Sequence, residues 1–540
     1  MKLQRITFVT AGSRGDVQPY LAIALALKER GYELRFATSC EFEKMIRSFG
    51  FGFAGIFPNV AVVLEESPKL MQAMQNGETF TLSAGISAAN AKVAPEAFAK
   101  FQIELEQYPP DLIVKGSLTE FLVYHAALTR KIPFCDVCIM MPIHHPDRPL
   151  FGFPKLPFGL HSIFPWLLLT AYYNGQRVYD CENVVARRWS NARFRQAMTK
   201  PVIPRICLAP SMARPILYPS IGGNFKFVGY ATIKSEFQIK TRSGSSLFGD
   251  MRVQTQIQEF LNQSANQDCI YMGWGSMVSR SPEHMTEFAV RALQLVRKRG
   301  IILSGYANLG IQHINDADLL NYALDNILFV SEAPHEWLFP RVSLTIHHGG
   351  SGTTASALRS GKPTIITPVI FDQWDNAHLI NQLGCGYGFE KQQLHKVTSE
   401  DLAKAIDMVL GDRRFSVYAA QVAEQMEKEN GARSAAQEIE AFWTSYVVSS
   451  RIWSLLPGRQ SENKQMPSVV RFSWRSLFGL VAFLVSFIIP RDALSHNLVT
   501  SLPSAQIERM DYQIEEAPDG IERYESSEAT SLSARILEFF

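Results

Sequence analysis

Twice along this 540-residue chain a short apolar run ends in a glycine-rich turn and opens straight into a helical pattern. The first is Arg5–Thr10, then Gly12-Ser13-Arg14-Gly15-Asp16, then Leu21, Ala24, Leu25 and Lys28 at helical spacing before Gly31. The second is Leu344–His347, then a Gly-rich turn from His348, then a helix from about Thr353. Strand, tight turn, helix, strand is the unit of a doubly wound parallel sheet. Pro19 falls where a first helical turn tolerates it, and Glu33–Ala37 supplies the next strand. Asp111–Lys115 and Phe134–Met140 read as buried strands separated by a helix over Phe121–Leu128. After a linker near 230–250 the pattern restarts. Strands are expected at Cys269–Trp274, Gly300–Ser304, Asn326–Val330 and Thr364–Thr367. Helices are expected at Pro282–Arg299 and at Ser399–Leu410, with Ser399 as N-cap, followed by long helical periodicity over Arg413–Val447.

The fold class is therefore α/β: two facing Rossmann-like domains with an interdomain cleft, spanning 1–230 and 250–412. Helices over 413–450 are expected to pack back toward the N-terminal domain. A hydrophobic fraction of 46% excludes wholesale disorder. The net charge of +2 argues against a nucleic-acid partner. That near-neutrality hides a split. Residues 504–540 hold nine acidic and three basic residues, a net of −6, and read as a disordered tail. The first 503 residues keep 50 basic and 42 acidic, a net of +8.

Within the basic, apolar segment 451–503, Leu477–Ile489 is 13 residues long, flanked by Arg471, Arg475 and Arg491. At ~1.5 Å per residue it reaches ~20 Å, short of the ~30 Å hydrocarbon core. Residues 471–491 therefore fit a peripheral membrane contact better than a span. Seven scattered cysteines and an N-terminus too short in apolar residues for a signal peptide point to reduced thiols and a cytoplasmic protein.

Chemistry concentrates in three places. His347-His348-Gly349-Gly350-Ser351-Gly352-Thr353-Thr354 offers a helix N-terminus and hydroxyl donors, suited to a diphosphate. Asp372-Gln373 puts a carboxylate beside a carboxamide after a strand, suited to vicinal sugar hydroxyls. Asp16 sits at a helix start in the facing domain, where the helix end keeps it ionised at the cost of basicity. Each motif taken alone also reads as a helix cap. The aromatic, proline-broken stretch 142–180 reads as a lining for an apolar ligand, with His144-His145 facing it. Asp316-Ala317-Asp318 lies in a polar loop-to-helix stretch, not after a strand, and Cys135 and Cys138 are a single pair, so neither is read as a metal site.

Gly12–Pro19 (GSRGDVQP), Gly273–Ser276 (GWGS), Ala333–Pro340 (APHEWLFP), His347–Thr354 (HHGGSGTT) and Asp372–Ala377 (DQWDNA) occur in this order. Together they resemble the UDP-glycosyltransferase superfamily with the GT-B fold, in its sterol/lipid glucosyltransferase and glycopeptide-antibiotic glycosyltransferase branch. The similarity covers roughly residues 5–445. It implies an inverting, metal-independent transfer of a sugar, glucose above all, from a UDP-sugar to a hydroxyl of a lipophilic acceptor such as a sterol or terpenoid. The UDP-sugar would be a substrate, so no cofactor is implied. By motif position Asp16 would be the catalytic base, with Ser13 near the reaction centre. His348, Ser276, Gly350, Ser351, Gly352 and Thr353 would meet the diphosphate, Asp372 and Gln373 the sugar, and Ala333 and His335 the base. The segment after the Asp-Gln pair, Trp374-Asp375-Asn376-Ala377, is closer to the wider superfamily than to its sterol branch. Two rivals are a non-catalytic lipid- or membrane-binding protein on a degenerate transferase scaffold and a GT-B epimerase or phosphorylase.

Overall fold

The computed structural model describes residues 2–116, 119–139, 204–219, 224–233, 251–263 and 269–450. The expected apolar lining 142–180, His144-His145, the membrane-contact segment 471–491 and the tail 504–540 lie outside these residues. Among the described residues no helix is long and apolar enough to cross a membrane.

Two wholly parallel sheets carry the chain. The first runs β3-β2-β1-β4-β5-β6-β7. Its strands are β1 (Arg5–Val9), β2 (Glu33–Ser39), β3 (Gly52–Phe57), β4 (Leu112–Lys115), β5 (Phe134–Cys138), β6 (Arg205–Cys207) and β7 (Phe225–Phe227). The second runs β10-β9-β8-β11-β12-β13. It contains β8 (Cys269–Gly273), β9 (Arg299–Leu303), β10 (Ile327–Val330), β11 (Leu344–His347), β12 (Thr364–Ile366) and β13 (Gly386–Gly388). In both, the chain winds outward for three strands and then returns to the other side of the first. This makes a topological switch point between β1 and β4, and another between β8 and β11. Ligand crevices open above the carboxyl ends of strands at such points. The glycine-rich turns after β1, β8 and β11 all sit there.

The helix Arg14–Lys28 buries Val17, Tyr20, Leu21, Ile23, Ala24 and Leu27 against the first sheet. The phenol of Tyr20 also donates to the carbonyl of Val137, 2.9 Å away. Pro19 lies six residues into this helix, not in its first turn. The helix starts directly at the Gly-rich turn, so only the bond back to the carbonyl of Gly15 is lost to the proline.

Other boundaries also moved. The helix expected from Thr353 begins at Ser351, because Gly349 turns the chain at φ +91° and lets Gly350 act as N-cap. Thr398, not Ser399, caps the helix Ser399–Gly411, through a reciprocal pair with Asp401. The helix from Pro282 stops at Leu295, and Arg299 already belongs to β9. The periodicity over 413–447 resolves into Arg413–Glu427 and Gly431–Phe442, restarted by the Asn430 side chain on the Arg433 N–H.

Ala435, Ala436, Ile439 and Phe442 of that last helix bury in the core of the first sheet. In return, Leu70, Ala73 and Met74 of the helix Pro68–Asn76, with Leu82 of the helix Thr79–Gln107, bury in the core of the second. The two sheets are thus held together by exchanged helices.

Candidate active site

The turn after β1 is built around one carboxylate. Gly12 adopts φ +115°, and a Cβ there would collide with Asp16 Oδ2. That oxygen accepts from the backbone N–H of Ser13 at 2.8 Å and from its hydroxyl at 3.1 Å. Burial pushes the Asp16 carboxyl up to about 6, against the pull of both Ser13 donors. The sequence reading expected the helix end to hold it low. Desolvation outweighs the donors here, and the result is a more basic carboxylate.

The turn after β11 has the opposite design. His347 is fully buried, accepts from the Gly349 N–H at 3.0 Å through Nδ1, and meets Thr364 Oγ1 at 3.1 Å through Nε2. It is a core residue. His348 is the one turned toward the crevice. Burial holds it down to about 4, so it is a neutral imidazole at pH 7. The helix Ser351–Arg359 has no acidic residue in its first turn and no side-chain cap. Ser351, Gly352 and Thr353 are half-buried on it, and beyond Gly352 there is open space. The Nδ1 of His348, the Oγ1 of Thr354 and the indole Nε1 of Trp374 have no hydrogen-bond partner among the described residues. Such orphaned atoms mark where ligand polar groups fit.

The third piece follows β12. Asp372 precedes the helix Gln373–Leu383, right after Phe371, whose φ of +50° is a strained left-handed conformation for a bulky residue. Its carboxyl is pushed up to about 7 by burial and by the charges of Asp375 and Asp16, while the backbone N–H of Ser351 pulls it down. The helix Ser351–Arg359 packs on both Gln373–Leu383 and Arg14–Lys28, which brings the turns holding Asp372 and Asp16 to the same side of the fold.

Gln373 keeps only part of the hydrogen-bonding capacity of a carboxamide for a ligand. Its side chain is buried, its oxygen accepts from the N–H groups of Val369 (2.8 Å) and Ile370 (3.0 Å), and its nitrogen lies 3.3 Å from Met277 Sδ. Only an amide N–H is left to offer a ligand.

The remaining expected residues divide. Ser276 lies half-buried in the turn after β8; a Cβ on its neighbour Gly275 would come within 3.2 Å of His348 Cε1. His335 hydrogen-bonds Tyr271 at 2.9 Å and stacks on Phe339. Burial, then the Arg14 and His348 charges, hold it down to about 3. With that ring nitrogen taken by the protein, the His335 side chain has less to offer a base than its backbone. Ala333 is half-buried and packs against the cluster that holds Tyr271, Leu338 and Phe339. Asp316 caps the helix Ala317–Asn326 through the Leu319 N–H and pairs with Arg291, which gives it a structural duty.

Sequence reasoning missed Tyr230, which sits in the connection out of the first sheet. It is buried among Ala355, Ala377 and Ile380, and its phenol is pushed up by burial and by the charges of Asp372 and Glu429. No motif surrounds it.

Two family descriptions match the chain: the glycosyltransferase family 28 N-terminal domain over residues 6–135, and the erythromycin biosynthesis protein CIII-like C-terminal domain over residues 311–442. Sterol 3-beta-glucosyltransferase of Kluyveromyces lactis is 27% identical over 457 residues, 80% of this chain and 34% of that protein. The Komagataella phaffii enzyme of the same name is 28% identical over 453 residues, 80% of this chain and 34% of its own. The chain thus spans about a third of the length of these relatives. Among solved structures, the glycotransferase of kitacinnamycin matches with a TM-score of 0.56 at 16% identity, covering 82% of this chain and 100% of that one. The calicheamicin glycosyltransferase matches at 0.56 and 14%, covering 82% and 99%.

Proposed function

On the premise that this chain carries the GT-B fold of the UDP-glycosyltransferase superfamily, we propose that it transfers glucose from UDP-glucose to the hydroxyl of a sterol or similar lipid, with inversion. The observation that carries this reading is the meeting of three groups at one crevice. Asp16, a carboxylate of raised basicity, opens the helix Arg14–Lys28, which packs on the helix Ser351–Arg359, and that helix has no acidic residue in its own first turn while the Asp372 carboxylate meets its first N–H. The names of the relatives favour the sterol as acceptor.

In this mechanism the diphosphate lies on the N–H groups of Gly352 and Thr353 beside the Ser351 hydroxyl, and His348 donates from Nδ1 in the tautomer that gives up its bond to the Gly273 carbonyl. Ser276 lies close by. Asp372 accepts from the glucose hydroxyls and the Gln373 amide donates to another. Asp16 takes the proton from the acceptor hydroxyl. The acceptor oxygen bonds to the anomeric carbon as the bond from that carbon to the diphosphate oxygen breaks, and UDP leaves with the electron pair. The fixed N–H donors stabilise the charge growing on the departing oxygen, an effect worth ~3–4 kcal/mol per donor.

The test is incubation with UDP-glucose and a panel of sterols, terpenoids, hydroxy fatty acids and phenolics, read by mass spectrometry. A hexose added to a sterol supports the full reading, and one added only to a phenolic rejects the lipid acceptor. No UDP-glucose binding in a titration would leave the degenerate-scaffold reading.

A further inference from the structure

The Asp372–Ala377 motif contains two buried polar residues that the mechanism above does not use, Asp375 and Asn376, and the second reaches two neighbouring segments. Asn376 is 6% exposed and lies one helical turn beyond Asp372, on the same face. Its Nδ2 donates to the carbonyl of Gly349 at 2.7 Å and lies 3.5 Å from Asp372 Oδ2. The other end of Gly349, its N–H, is held by His347 Nδ1 at 3.0 Å. A Cβ on Gly349 would come within 3.1 Å of the Gln373 carbonyl oxygen, so the two segments touch backbone to backbone. Gln373 in turn ties down the N–H groups just before Phe371.

We propose that Asn376 is a positioning residue that fixes the sugar-side carboxylate Asp372 in register with the diphosphate loop at Gly349. This deepens, and rests on, the donor-binding reading of the site. One amide NH2 reaches toward both segments, so beside the backbone contact of Gly349 with Gln373 this side chain ties the place where a diphosphate lies to the place where a sugar hydroxyl is accepted. A nucleotide without a sugar needs only the first place. A nucleotide sugar needs both at the correct separation. Asn376 therefore acts on the increment that the sugar adds to binding, through Asp372.

The experiment is calorimetric titration of the full chain with UDP and, separately, with UDP-glucose, for wild type, Asn376→Ala, Asn376→Asp, Asp372→Asn and the double variant Asp372→Asn/Asn376→Ala. Asn376→Asp keeps the volume, removes the donor hydrogens and sets a second negative charge beside Asp372, so it serves where the alanine variant loses stability. The expected result is UDP affinity within about 3-fold of wild type and UDP-glucose affinity lower by about 10- to 100-fold, more for Asp than for Ala. In the Asp372→Asn background, the Ala change should cost less than about 2-fold further, because coupled residues are not additive. Equal losses for UDP and UDP-glucose, or full additivity with Asp372→Asn, would overturn the proposal and leave Asn376 a packing residue. A wild-type chain that binds UDP but not UDP-glucose, or neither, would sink the donor-site reading itself.

Discussion

The turns after β1 and after β11 are the same device carrying opposite electrostatics. Both follow a strand at a switch point, and both open a helix through glycine. In the first, the helix fills its own N-terminus: Asp16 at its third position takes the Ser13 N–H and hydroxyl. In the second, no acidic side chain stands in the first turn and Gly350 cannot cap. A helix that has capped itself has little left for an anion, and its carboxylate is available for proton transfer. A helix with no acidic residue of its own keeps the N–H groups of Gly352 and Thr353 and its positive dipole end for a ligand, while its first N–H, that of Ser351, meets Asp372. On the proposed reading this difference gives proton chemistry to one half and anion binding to the other.

The largest expected effect comes from removing the carboxylate of the first turn. Asp16→Asn keeps an acceptor for the Ser13 donors but cannot take a proton. Turnover with UDP-glucose and a sterol should fall by about 10²–10⁴-fold, with UDP affinity unchanged by titration. Turnover near the wild-type rate would remove Asp16 as the base.

Next in size is a change that makes the second turn copy the first. Gly352→Asp has room for its side chain and puts a carboxylate in the first turn of the helix Ser351–Arg359. It should stabilise that helix by about 0.3–1 kcal/mol while weakening UDP binding by roughly 100-fold, through repulsion and competition for the same N–H groups. Stronger or unchanged UDP binding would show that the diphosphate does not lie there.

Both turns were legible in the sequence, because glycine, helix start and preceding strand are local signals. So were most strands, since buried parallel strands are short continuous apolar runs. The tertiary part was not. His347 and His348 are adjacent and chemically identical in sequence, yet strand pleating sends one into the core and the other toward the crevice. Gln373 reads as a sugar ligand by position, while its oxygen is spent on two N–H groups of its own turn. The helix Pro68–Asn76 and the first turns of Thr79–Gln107 carry no motif, and their packing on the second sheet depends on contacts more than 180 residues away in the chain.

The pH dependence sharpens the same contrast. Asp16 must be ionised to act as base, and burial has raised it to about 6. kcat/KM should therefore climb as pH rises through about 6, then level off. On the proposed reading UDP binding should not follow that limb, because its histidine is already neutral above about 4 and the titrating group at its helix start, Asp372, ionises near 7, where binding should weaken. A kcat/KM profile without that limb would place the titrating base elsewhere.

The smallest expected effect is on stability, and it separates the ligand role of Asp372 from a structural one. Its carboxyl is pushed up to about 7 by burial and neighbouring carboxylates. A carboxyl raised in the folded state favours folding when protonated. That contribution is full below about pH 4 and is lost as pH rises through 7. At pH 8 the ionised group is therefore a burden on the fold, which Asp372→Asn should lift. The melting temperature should rise by about 1–3 °C at pH 8 and stay unchanged near pH 4. Added UDP-glucose should raise the melting temperature of wild type at pH 8 far more than that of the variant, since a ligand stabilises only the form that binds it. A variant less stable than wild type at pH 8 would mean that Asp372 holds the turn together, and that its strained neighbour Phe371 is there for packing.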